Sequence, residues 1–294
     1  MDRILRDKRA IALFVLPGLI AFVIMVFLPI VMAFVFSLYK GMLGFDFKFV
    51  GFANYPKLFK DISLGKVMGN TFYYFFIVTP ADMVLSIVIA LIIMFYTKGW
   101  ANTLARVIVF LPVVLPSIGV AELFRKILEV SPYPGLLNTL LATFGLANLA
   151  RPWLGDMHTI MTTISVIDIW RGMGFYVVIL YAGLTSVPEE ILESARIDGA
   201  KRLAQVRYII LPMIKPVIIT CLVLSVNYSL KVFDTPFMLT AGGPGDASTV
   251  LPLYTYKTAF AFSDYGFGSV LAMFLLAQCV VISLVINRLN KDNT

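Results

Sequence analysis

The sequence predicts an all-α integral membrane protein with six transmembrane helices. Three observations carry that expectation. The 294 residues are 60% hydrophobic and only 14% charged, the mean hydropathy is +0.89, and six apolar runs are long enough to cross a bilayer. A helix rises about 1.5 Å per residue, so about 20 apolar residues span a hydrocarbon layer about 30 Å thick. The runs lie near Ile11 to Tyr39, Thr71 to Thr97, Leu104 to Phe124, Thr159 to Leu184, Ile214 to Met238 and Phe267 to Asn287. One membrane domain over residues 1–294 accounts for all of them.

Span one follows Arg3, Arg6, Lys8 and Arg9, as a signal peptide would. It is too long for a signal core and has no small-residue cleavage site, so it reads as a retained span. Basic residues resist translocation, which orients the rest. With the amino terminus inside, the inner segments carry Arg3, Arg6, Lys8 and Arg9, then Lys98, then Arg196, Lys201, Arg202 and Arg207, then Arg288 and Lys291. The first outer loop dilutes the bias with Lys40, Lys48, Lys57, Lys60 and Lys66. An even span count then leaves both termini cytoplasmic. The net charge of +7 reads as topology and contact with anionic membrane lipid, with no nucleic-acid partner needed.

Several chemistries are absent from the pattern. His158 is the one histidine and no carboxylate or thiol set has metal-ligand spacing, so no metal is expected. Cys221 and Cys279 fall inside spans and read as free thiols. No lysine follows the glycine spacing of a phosphate loop, so the chain carries no ATPase site of that kind and no cofactor of its own. "LTAGGPGD", Leu239 to Asp246, reads as a tight outer turn.

"EEILESARIDGAKRLAQVRYIILPMIKP", Glu189 to Pro216, joins spans four and five on the inner side. Ser186 and Glu189 have the spacing of a capping box, with Pro188 in the first turn. Ile191, Leu192 and Ala195 form an apolar stripe, and Gly199 is placed to end the helix in a left-handed conformation. Leu203, Val206 and Ile210 then oppose Lys201, Arg202, Gln205 and Arg207, until Pro212 stops the pattern. Two short amphipathic helices at an angle are expected.

This loop resembles the EAA loop of ATP-binding-cassette importer permeases at Glu193, Ser194, Ala195, Asp198, Gly199, Ala200, Leu211 and Pro212, with Ser194 in place of the middle alanine. "FVGFANYPKLFKD", "WRGMGFYVVILYAGL" and "LKVFDTPFMLTAGGP" are similar to the carbohydrate-import branch, in the order and spacing of that branch. The resemblance implies the type I importer permease fold in a bacterial or archaeal cell membrane. It also implies a second, related permease, two cytoplasmic ATPases that bind ATP and Mg, an extracytoplasmic solute-binding protein and a sugar-like solute. The loop would be the peg that couples to the ATPases, held by Glu193 and Asp198 and bent at Gly199.

Polar residues within spans are costly enough to need a reason. On a continuous helix, Asn227, Lys231 and Asp234 share one face, with Tyr228 and Thr220 beside them. Asp82 has Thr79 and Ser86 at i−3 and i+4, and Asp168 has Arg171 at i+3. Asn227, Tyr228, Lys231, Asp234 and Asp82 are the expected solute path; local Lys231–Asp234 and Asp168–Arg171 pairs are the structural alternative. Glu122 and Lys126 read as an exposed pair, and residues 135–144 as a short outer helix. An ion-coupled secondary transporter would also bury Asp82 and Asp168, but it explains neither the loop nor the lack of an internal repeat.

Overall fold

The structure, a computed structural model, describes residues 8–42 and 44–291. Arg3 and Arg6 of the orientation argument lie outside these residues. In chain order the helices are α1 (Lys8–Phe22), α2 (Leu28–Ser37), α3 (Tyr55–Lys60), α4 (Ile62–Tyr96), α5 (Gly99–Val114), α6 (Ser117–Ile127), α7 (Leu136–Thr143) and α8 (Ile160–Thr185). After them come α9 (Glu189–Ile197), α10 (Arg202–Gln205), α11 (Leu211–Met213), α12 (Lys215–Leu230), α13 (Asp234–Thr240), α14 (Leu251–Tyr256) and α15 (Tyr265–Lys291). Among the described residues one two-stranded antiparallel ladder pairs Tyr39 with Phe49 and Lys40 with Lys48.

Among the described residues, five helical stretches are long and apolar enough to cross a membrane: Ala12–Ser37, Ile62–Tyr96, Ile160–Thr185, Lys215–Thr240 and Tyr265–Ile286. The expected third span is a pair, α5 and α6, bent by 94°. Pro116 forces that break: the residue before a proline avoids the helical region, and Leu115 is extended at ψ 135°. Span two begins nine residues before the apolar run, because "ISLGKVMGN" adds polar turns ahead of it. Pro17, Pro80 and Pro112 lie inside helices, whereas Pro29 and Pro216 occupy first turns, where the missing N–H costs little.

The chain forms two compact units, residues 1–64 with 254–278 and residues 65–253 with 279–294. In the first, buried Asn54 is the fastener. Its Nδ2 donates to the carbonyls of Ser37 (3.0 Å) and Tyr39 (2.6 Å), and its Oδ1 accepts from Lys57 Nζ at 2.9 Å. Tyr39 stacks on Phe47 with centroids 4.7 Å apart, so the ladder carries one aromatic face.

The second unit has two apolar clusters. One gathers Tyr74, Val78, Ile160, Ile164, Val232 and Leu253; the other gathers Met83, Tyr176, Leu180, Leu184, Ile210 and Cys221. Gly174 permits the close approach of α5 and α8, since any Cβ there would overlap the carbonyl of Val109. Cys221 and Cys279 are buried free thiols, as expected.

Candidate functional site

Three places in the second unit concentrate polar chemistry. The first is a buried seam between spans. Asp168 of α8 is 1% exposed and accepts hydrogen bonds from Tyr74 Oη of α4 at 2.5 Å and Thr235 Oγ1 of α13 at 2.6 Å. Tyr228 Oη of α12 stands 3.5 Å away. The seam runs on through Thr79 and Ser229 (2.9 Å) and Ser225 to Asp82 Oδ2 (3.3 Å), and ends where Ser86 donates to the carbonyl of Met173 (3.0 Å). Asp82 is as buried as Asp168, and its Oδ1 has no hydrogen-bond partner among the described residues. The i−3 and i+4 spacing around Asp82 therefore marks a face packed between helices, where the sequence reading expected a water-accessible solute path.

The expected ion pairs do not form. Asp168 is served by hydroxyls, and Arg171 turns away to donate from Nη2 to Ser117 Oγ at 2.8 Å. Lys231 and Asp234 are exposed and make no ion pair with each other. The physical reason is a helix break: α12 ends at Leu230, and Lys231 to Phe233 are not helical before α13 restarts at Asp234. The single stripe of Asn227, Lys231 and Asp234 is corrected accordingly. Asn227 Nδ2 bonds Ser283 Oγ of α15 at 3.2 Å and its own helix at Val223 O, while Asp234 accepts from Ser117 at 3.4 Å. Glu122 likewise pairs with Arg125, not Lys126.

Beside the seam lies a cavity of about 250 Å³ between α5, α8 and α12, lined by Val113, Arg171, Gly172, Phe175, Tyr176, Leu224 and Tyr228. Of the expected path residues, only Tyr228 lines it. Sequence reasoning took Arg171 for a structural partner of Asp168 and missed Phe175; their i, i+4 spacing on α8 matches that of Leu224 and Tyr228 on α12 and was the available signal.

The second place is the segment from α9 to α11. The capping box is absent. Ser186 caps the end of α8, donating to the carbonyl of Gly183 at 2.7 Å, and α9 begins after an extended Pro188. The other end matches the expectation. Gly199 has φ +83°, its N–H bonds the carbonyl of Arg196, and Ala200 N–H bonds that of Ala195 at 2.8 Å. These paired bonds cap α9 in a Schellman turn.

Buried Gln205 ties the bend by donating to Ala200 O at 3.0 Å, and Arg202 lies over the rings of Phe95 and Tyr96 at the end of α4. Leu192 and Ile210 face the chain's own core. Leu203, expected beside Ile210, is instead 79% exposed, as are Ile197 (87%) and Tyr208 (70%). Pro212 does not stop the helical path. A π-helical turn over Val206–Ile210 precedes it and places it in the first turn of α11, where no N–H is required. Glu193, Ser194 and Asp198 are exposed, Ala195, Ala200 and Leu211 are half-buried, and Glu193 and Asp198 make no ion pair among the described residues.

The third place is the loop between α13 and α14. Its carbonyls are held by side chains. Lys66 Nζ donates to Gly245 O at 2.6 Å and Asn70 Nδ2 to Asp246 O and Thr249 O, while Arg125 holds the end of α13 that leads into the loop, at Met238 O and Leu239 O. A phosphate cradle turns N–H groups toward its ligand; this loop instead offers carbonyls to cations, consistent with a structural turn.

Residues 82–293 match the family described as "Binding-protein-dependent transport system inner membrane component". The chain belongs to this family. It is 31% identical over 274 residues to the probable ABC transporter permease protein YurN of Bacillus subtilis, covering 93% of each chain. It is 30% identical over 291 residues to the trehalose/maltose transport system permease protein MalF of Thermococcus litoralis, covering 98% of this chain and 96% of the relative. A chain of a bacterial alginate ABC transporter, solved in complex with an alginate pentasaccharide-bound periplasmic protein, superposes with a TM-score of 0.82 at 26% identity. The match covers 100% of this chain and 97% of that one. The fold is therefore that of the type I importer permeases, and the chain is a transport component of the membrane.

Proposed function

We propose that this chain is a permease subunit of an ATP-driven importer that translocates a sugar or sugar-like solute delivered by an extracytoplasmic binding protein. It acts with a second, related permease and two ATPases that bind ATP and Mg, and both of its termini are cytoplasmic. Support for the sugar class comes from relatives whose names state trehalose/maltose and arabinooligosaccharides.

The observation that carries the mechanism is the α9–α11 segment. Its bend is fixed by the Gly199 cap and by Gln205, while Ile197, Leu203 and Tyr208 point outward with nothing of their own chain to cover them. A rigid element with an exposed apolar face is what an ATPase needs in order to push on helices it does not contain. Glu193, Ser194, Ala195, Asp198, Gly199, Ala200, Leu211 and Pro212 form the coupling element. Tyr228, with Arg171 and Phe175, lines the solute path; Asn227, Lys231, Asp234 and Asp82 belong to the spans that frame it. The outer helix within residues 135–144, the turn at Gly242–Asp246 and the first outer loop offer the surface for the binding protein.

The test is uptake by proteoliposomes holding this permease with its partner subunits. Uptake should require ATP and the binding protein. Uptake driven by a proton or sodium gradient without ATP would establish the ion-coupled alternative.

A further inference from the structure

The bend between α9 and α10 borders a cavity of about 800 Å³ that neither the solute path nor the buried seam uses. Four pieces of chain meet there: the α4–α5 turn, the end of α8, the helix α9 and the start of α10. Three basic side chains line it, Lys98 from the turn, Arg196 from the last turn of α9 and Arg202 from the first residue of α10. Glu189 and Glu190 line it too, yet none of the three cations makes an ion pair among the described residues. A concave site lined by more cations than carboxylates, with every cation left unpaired, draws anions.

The positions of the side chains say which anion. The Arg202 guanidinium lies 5.8 Å from the ring centre of Phe95 and 5.1 Å from that of Tyr96, so its plane is held in advance. A guanidinium held in this way presents a planar fork that matches two oxygens of a phosphate. Gln205, 3% exposed and bonded to Ala200 O, keeps the wall beside it fixed. The volume and the carboxylates define the rest of the ligand. A bare phosphate leaves most of such a cavity empty, and sites for whole small molecules run from about 300 to 1,000 Å³. Glu189 and Glu190 would repel a second anionic group but accept hydrogen bonds from hydroxyls.

We propose that this cavity binds a soluble organic phosphate, with Lys98, Arg196 and Arg202 on the phosphate and Glu189 and Glu190 on the hydroxyls of a neutral, hydroxyl-rich body. Arg196 and Arg202 stand on either side of Gly199, and Lys98 belongs to the α4–α5 turn, so the ligand ties both arms of the bend to the ends of the spans. Occupancy therefore stiffens the α9–α10 bend. Its consequence for transport rests on the coupling reading of that segment, whereas the binding stands on the cavity alone.

The experiment uses the full chain in phosphatidylcholine nanodiscs at constant ionic strength, titrated calorimetrically with glucose 6-phosphate, glucose and inorganic phosphate. Glucose 6-phosphate should bind one molecule per chain, at least about ten-fold more tightly than inorganic phosphate, and glucose should not bind. Lys98→Gln should weaken that binding at least about ten-fold. It should leave the melting of the unliganded chain unchanged, because Lys98 is exposed and makes no ion pair among the described residues. Arg202→Lys keeps the charge, loses the fork and should weaken binding as well. Glu190→Gln should bring glucose 6-phosphate and inorganic phosphate to within about three-fold of each other. Amide hydrogen exchange over residues 196–205 should slow with glucose 6-phosphate and not with glucose. Absence of saturable binding, or binding that Lys98→Gln leaves unchanged, overturns the site. Competition by phosphatidylglycerol added to the nanodiscs overturns the soluble ligand and assigns the phosphate to a lipid headgroup. Loss of binding when the ATPase subunits are added also overturns it, and assigns the cavity to their interface. Coupling itself is judged separately by Gly199→Val, which involves no phosphate.

Discussion

Tyr74 and Asp168, 94 residues apart in sequence, meet through a 2.5 Å hydrogen bond that fastens α4 to α8. Thr235 approaches the same carboxylate from α13, so one side chain holds three helices at the level where span five breaks. Tyr74→Phe should therefore lower the stability of the purified permease by about 1–2 kcal/mol, and Thr235→Val should do the same. The two effects should fall short of additive, because both act through Asp168. Melting in detergent measures each term. Additive losses, or none, would remove Asp168 from its place as the shared fastener.

Close backbone packing of α5 on α8 gives a second expectation. Gly174→Ala drives a methyl group into the Val109 carbonyl, so the helices must separate; a cost of about 1–3 kcal/mol and reduced yield should follow. Gly172→Ala, with nothing within 4 Å of the added methyl, should express and melt like the parent protein. Equal yields for the two variants would contradict the close approach.

Coupling is tested at Gly199. A Cβ there meets no atom within 4 Å, so replacement is penalised by the left-handed φ of +83° alone. Gly199→Ala should cost about 1 kcal/mol locally, and Gly199→Val more, because a β-branched residue tolerates this region worst. The spans should remain folded while the loop loses its bend. Assembled transporter carrying Gly199→Val should show basal ATPase activity without stimulation by the loaded binding protein. Full stimulation would dissociate the bend from coupling.

The sequence and the structure part company where tertiary partners decide. Hydrophobic run length located the long apolar helices in chain order, but it carried no sign of the nine residues by which α4 extends ahead of its apolar run. The left-handed Gly199 was equally legible, since the turn that ends α9 needs a residue tolerant of positive φ. Hydrogen-bond partners were not legible. Asp168 and Arg171 sit at ion-pair spacing, yet each finds a hydroxyl on another helix, Tyr74 and Ser117 respectively. The polar stripe of span five assumed an unbroken helix and failed at Lys231–Phe233, although Pro236, which has no N–H for the Val232 carbonyl four residues before it, announced a break there. Leu203 was read inward from periodicity, but the π-helical turn at Val206–Ile210 changes the phase, and buried Gln205 takes the inward place.

The solute path supplies the last prediction. The cavity between α5, α8 and α12 admits Arg171 and Phe175 from one helix and Leu224 and Tyr228 from another. Asn227 is adjacent in sequence but committed to Ser283 of α15. If this cavity carries solute, cysteines at 171, 175, 224 and 228 should react with a water-soluble thiol reagent, and transported solute should slow them. A cysteine at 227 should react slowly and ignore solute. Uptake should separate the same residues. Tyr228→Ala should lower it several-fold with assembly and basal ATPase activity intact, because it removes a cavity wall and its hydroxyl contributes only the long 3.5 Å approach to Asp168. Asn227→Ala should instead show its loss in stability, by about 1 kcal/mol, through the broken link to α15. Solute protection at 227 and none at 175 or 228 would move the path to the opposite face of α12.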